Sequence, residues 1–163
     1  LKGEAITSNS RQFGDAYDTE EYQLEELSFN PVGGSHEDIL DEYKSIELHF
    51  KFRMKRNAER RRVNFKLQDD HGVVLFVFGH SKSGVGLRPG HNHLICTLPE
   101  GFLNIGTYVL SLHILEDEKT TVVAVPNFVS FQIQEGERKI GQWMGREPGF
   151  IKPRFPWRNE AIS

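Results

Sequence analysis

With 163 residues, 18.7 kDa and 37% hydrophobic residues, the chain is one domain in size, long enough to bury a core and too short for two. A net charge of −3 and a pI near 6.2 argue against nucleic-acid binding, which needs a basic surface. No run approaches the roughly 18 apolar residues of a membrane span, and the first residues do not read as a charged n-region followed by an apolar h-region.

The even balance hides an asymmetry. Between Asp15 and Glu47 there are eleven Asp or Glu and one Lys, whereas Lys51 to Lys66 holds eight Lys or Arg and the single Glu59. The lone Cys96 rules out an internal disulfide. It lies in the run His93 to Leu98 and reads as a buried, inert thiol, which permits a reducing compartment.

Residues 1–20 are polar and aperiodic, and they read as a linker or loosely held arm. Because the chain starts at Leu1 without a Met, it reads as a piece of a longer protein. From Tyr22 the pattern has period two. Tyr22, Leu24, Leu27 and Phe29 make a first strand whose phase slips at Glu25 and Glu26, which predicts a bulge. Ile46, Leu48, Phe50, Phe52 and Met54 alternate with polar residues, the clearest half-buried strand.

Lys55 to Arg62 reads as an exposed hairpin turn, which facing subunits or anionic lipid could contact. Val63, Phe65 and Leu67 alternate next, and Asp69-Asp-His-Gly72 turns the chain into Val73–Phe78, a more fully buried strand. A loop with four glycines and three histidines, Gly79 to His93, leads to a strand ending at Leu98. Strands follow around Tyr108–Ile114, Val122–Val125 and Val129–Ile133. Seven or eight short strands without a helical repeat predict an all-β fold, an antiparallel two-sheet sandwich of immunoglobulin-like or jelly-roll-like type over residues 21–135. Residues 136–163 form a tail with both tryptophans, Trp143 and Trp157, beside Phe150 and Phe155. These aromatics read as pins against the sandwich or across a dimer interface, with sugar stacking as the alternative.

Asp69-Asp-His-Gly72 before a hydrophobic strand, followed by Leu103-Asn-Ile-Gly106-Thr-Tyr108-Val-Leu110-Ser111, resembles the C-terminal carbohydrate-binding domain of the ATPase subunit in O-antigen polysaccharide ABC transporters of the Wzt type. The likeness runs from about Tyr22 to Ile133, and the ending Gly149-x-x-x-Pro153-x-x-x-Trp157 is similar to tails found there. Each motif alone is common in sandwiches; their order carries the resemblance.

The resemblance implies a cytoplasmic domain, peripheral to the inner membrane, that recognises the modified non-reducing end of a lipid-linked glycan and so couples chain termination to export. Its implied partners are the capped polysaccharide, a nucleotide-binding domain, a membrane permease and a second copy of itself, with exchange of the last strand. No Gly-x-x-x-x-Gly-Lys-Ser/Thr loop is present, so ATP and magnesium belong to the missing nucleotide-binding domain and the fragment is expected not to be an enzyme and to need no cofactor.

Two groups of residues are the candidate carbohydrate contacts. If the two alternating strands pair as neighbours, His49, Lys51, Arg53, Arg62, Asn64 and Lys66 share one basic face suited to an anionic cap. The plainer alternative is a solvated face neutralised by the acidic stretch. The glycine-rich loop offers His80, Lys82, Arg88, His91 and Asn92 as hydrogen-bonding groups. His91-x-His93 invites a second reading, a cupin-like metal-dependent epimerase or isomerase of nucleotide sugars, although Glu100 lies too far along for that pattern. A third is a structural interaction module. Contiguous Glu116, Asp117 and Glu118 read as an exposed turn, and no nucleophile elbow is present, so no catalytic residue is assigned.

Overall fold

A computed structural model describes residues 9–117, 119–136, 148–151 and 155–160. Among them nine strands form two sheets. They are β1 (Ser10–Gln12), β2 (Tyr22–Pro31), β3 (Leu40–Asp41), β4 (Ile46–Met54), β5 (Arg61–Asp69), β6 (Val74–Gly79), β7 (Gly90–Leu98), β8 (Gly106–Glu116) and β9 (Thr120–Gln134). Sheet A has the order β1-β2-β4-β7 and sheet B the order β3-β9-β8-β5-β6. All pairings are antiparallel except β3 with β9. The expected sandwich is present, and part of the segment read as an arm contributes its first edge strand.

Alternation dictates what each sheet buries. Along β4 the residues Ile46, Leu48, Phe50, Phe52 and Met54 are inside while Lys51 and Arg53 face solvent. From the other sheet Val63, Phe65, Leu67, Leu110, Leu112 and Ile114 meet them. Phe50 stacks on Phe52 at 4.5 Å, and Phe29 meets Phe131 across the sheets at 4.1 Å. Each such ring contributes about 1.5–3 kcal/mol by leaving water. The expected bulge in β2 is present as a register shift between Leu24 and Glu26.

Several expectations are corrected. β4 and β5 are not neighbours: β4 lies in sheet A and β5 in sheet B, so Lys55–Arg60 is an arch between sheets and not a hairpin turn. Arg61 is not exposed. Its side chain is 3% exposed at the end of the sandwich, with Nη2 3.1 Å from Glu21 of the sheet A side and 3.1 Å from Glu116 at the end of β8. Its Nε and Nη1 have no hydrogen-bond partner among the described residues. β6 is not the most buried strand but the edge of sheet B, with Val74 and Val77 exposed. The two strands expected at 122–125 and 129–133 are one strand, β9. It bulges at Pro126, which has no amide to give a ladder, and at Asn127, whose φ is 50° and whose amide binds Ser111 Oγ.

The motif residues have structural work. Asp69 Oδ1 accepts the amides of His71 and Val73 and closes the β5–β6 hairpin, where Gly72 takes φ 88°. Asn104 and Tyr108 bind the tail: the Asn104 amide and side chain donate to Phe150 O and Gly149 O, and Tyr108 Oη donates to Asn104 O and lies 3.2 Å from Phe150 O. Phe155 and Trp157 are not pinned to the domain but exposed, Trp157 by 91%; Trp143 lies outside the described residues.

Arg61→Ala removes the buried partner of Glu21 and Glu116, which keep Asn57 and the exposed Arg60 beside them. The two glutamates remain 39% and 28% exposed, so the expected loss is about 2–3 kcal/mol, below the roughly 3–5 of a fully buried pair, read from denaturant midpoints; an unchanged midpoint contradicts it. Tyr108→Phe is expected to cost about 1 kcal/mol and to speed hydrogen exchange at the Asn104 amide, while unaltered exchange would show the tail is held without it.

Candidate functional site

The outward side of sheet A gathers a hydrogen-bonded chain of polar groups. Glu47, His49, Lys51 and Arg53 alternate along β4, and β7 places Thr97, Ile95, His93 and His91 opposite them in that order. His49 Nδ1 is 2.8 Å from His93 Nε2, and His49 Nε2 is 3.1 Å from Glu47 Oε1. Asn30 Nδ2, from β2, donates to the same carboxylate oxygen at 3.3 Å.

An ionised carboxylate only accepts, so His49 Nε2 donates to Glu47. In the neutral imidazole Nδ1 must then accept, which makes His93 Nε2 the donor. The bonds from His49 and Asn30 hold the Glu47 carboxyl below its usual range. Partial burial, then the neighbouring His49 and Lys51, push the His93 imidazole below its own. Lys51 lies 3.8 Å from Glu26, and His91 lies 3.7 Å from Glu25.

Beside this row the sandwich is open. β6 and β7 are edge strands of opposite sheets, and between them lies a slot of about 380 Å³. Its floor is apolar, with Phe50, Phe65, Phe78 and Leu94, and its rim carries His80, Ser83, His93 and Thr97. His93 therefore belongs to both the row and the slot. Burial raises the Cys96 thiol in the slot, consistent with an inert cysteine, although it is half-buried and not sealed in the core.

The eleven expected contacts do not form one site. His49, Lys51, Arg53 and His91 share the outward side of sheet A. Arg62, Asn64 and Lys66 lie on the outward side of sheet B, because β5 belongs there, so the single basic face expected from strand pairing does not exist. Arg62 and Asn64 instead meet Lys82 of the β6–β7 connection around a second hollow of about 310 Å³. His80 and Asn92 hold the loop. Val63 N donates to His80 Nε2 while His80 Nδ1 binds Val85 O, and the buried Asn92 side chain is bonded to Arg88 N, Arg88 O and Gly90 O. Arg88 is exposed on the same connection.

Glu47 and Asn30 are functional candidates that the sequence did not single out, and His93 entered there only as half of the His91-x-His93 metal pair. Alternation with His49 and Lys51 places Glu47 on their side of the strand. The His49–His93 contact joins residues 44 apart and has no local signal. The cupin-like pattern is not assembled: His91 and His93 share a strand face with His49, and among the described residues no group of three or more His, Cys, Asp or Glu is placed to hold a metal ion.

The acidic and basic stretches compensate each other locally. Besides Arg61 with Glu21, Lys55 binds Asp18 at 2.7 Å; outside the acidic stretch, Asp117 binds Arg60 at 2.6 Å, which holds the Asp117 carboxyl low.

No family model and no curated protein matches the sequence. Among solved structures, the crystal structure of the C-terminal domain of Wzt aligns over 93% of this chain and 88% of its own, with a TM-score of 0.67 and 12% sequence identity. At that identity the likeness is one of fold, and it extends over both sheets. The chain has the fold of the C-terminal domain of Wzt.

Proposed function

We propose that the chain is a carbohydrate-binding domain of an O-antigen polysaccharide ABC transporter, and that it reads the modified end of the glycan on the outward side of sheet A. The observation that carries the site is the meeting of two surfaces at His93, a hydrogen-bonding row and an aromatic-floored slot. Saccharides need both. Their hydroxyls require several fixed donors and acceptors, and their C–H faces pack on rings. The shared fold with the Wzt domain supports the transporter context.

In this reading the domain binds and does not catalyse. ATP and magnesium act on a nucleotide-binding domain elsewhere in the transporter, the permease is the membrane partner, and a homodimer places two such surfaces together in the cytoplasm. Among the described residues no helix is long and apolar enough to cross a membrane.

The test is a glycan array and calorimetry on the whole chain with polysaccharides bearing and lacking a modified terminus. Capped ends are expected to bind better than uncapped ones. Lys51→Ala or His93→Ala should weaken binding about tenfold or more, the worth of one or two polar contacts, while Arg62→Ala on the far sheet leaves it unchanged. Absence of glycan binding, or loss only with Arg62→Ala, overturns the reading.

A further inference from the structure

The imidazole pair on sheet A carries a consequence for what the face accepts. Between His49 Nδ1 and His93 Nε2, 2.8 Å apart, there is room for one proton. The other nitrogen of His49 is committed to Glu47, so an added proton goes to His93 Nδ1, the ring nitrogen of the pair that lies outside both bonds.

The surroundings oppose a further charge unless an anion arrives with it. On β4, Lys51 stands opposite His93 and Arg53 opposite His91. From β2 the carboxylates are already engaged, Glu26 near Lys51 and Glu25 near His91. Across the slot, His80 has both ring nitrogens bonded to backbone and the Cys96 thiol is held protonated by burial, so neither supplies a negative charge.

We propose that His49 and His93, flanked by Lys51 and Arg53, form a proton-linked subsite for an anionic substituent of the bound saccharide, a carboxylate or a phosphate ester, which binds with uptake of one proton by the pair. This rests on the reading of sheet A as the saccharide face. The anion accepts the N–H that protonation creates at His93 Nδ1 and offsets the added charge beside Lys51. By reciprocity, protonation strengthens anion binding as much as the anion favours protonation. The lowered His93 gives the sign: its imidazole is neutral at neutral pH and takes up its proton as pH falls, so affinity rises as pH falls through the imidazole range.

Calorimetry on the whole chain, from about pH 8 to about pH 5, compares glucuronate, glucose 6-phosphate and glucose in buffers of different ionisation enthalpy. Glucuronate is ionised throughout, so its pH dependence reports the protein; the phosphate arm shows which anion fits better. Acid-sugar affinity is expected to rise by up to about tenfold per pH unit with one proton taken up, and glucose should show no such rise. His93→Gln and His49→Gln should flatten the pH dependence. The His93 imidazole resonances of the free chain should titrate below the ordinary histidine range. Acid sugars that bind without proton uptake, or a pH dependence that survives both variants, overturn the proposal. Neutral glycans binding sheet A while both acids fail overturns it and leaves the saccharide reading standing; failure of every saccharide removes both.

Discussion

The buried guanidinium of Arg61 is the constraint on which the arrangement of the domain turns. It sits where the chain leaves sheet A and enters sheet B, and its carboxylate partners come from either side, Glu21 ahead of β2 and Glu116 at the end of β8. A charge this far from water is tolerated only when paired. The end of the sandwich therefore closes with both glutamates in place. The eight basic residues of 51–66 are divided by this crossing, some outside sheet A, some outside sheet B and one between them.

Closure at that end contrasts with the open side between β6 and β7. There the two edge strands belong to different sheets, and Phe78 and Leu94 are only half covered. The connection between them is kept in shape from within, through His80 and Asn92, so its exposed groups ride on a fixed base. A site on a rigid scaffold loses little entropy when it binds, which matters for ligands that contribute many weak polar contacts. The exposed ion pairs around the arch, Lys55 with Asp18 and Arg60 with Asp117, add little stability individually.

Asn104 and Tyr108 lie away from that side. They fasten residues 149–151 to the start of β8, which gives the Asn-x-Gly-x-Tyr pattern a structural use. The motif that made the resemblance visible is thus a device of the fold, whereas the polar row is written in residues that carry no recognisable pattern. Likeness in motif and likeness in ligand are separate matters in this domain.

The sequence by itself determined the all-β class, the alternation that buries Phe50 and Phe52 while turning Lys51 and Arg53 outward, the bulge at Glu25 and Glu26 and the hairpin at Asp69–Gly72, because each is set by residues within a few positions of one another. Only the tertiary structure decided which strands are neighbours. Placing β4 beside β7, and β5 beside β6 and β8, separated His49 from Arg62 and brought it to His93. It also turned Arg61 inward and opened the slot at the β6 and β7 edges. Period two tells which face a residue takes but not which sheet its strand joins, since that choice rests on burial summed over the whole core and on charge partners far away in the chain.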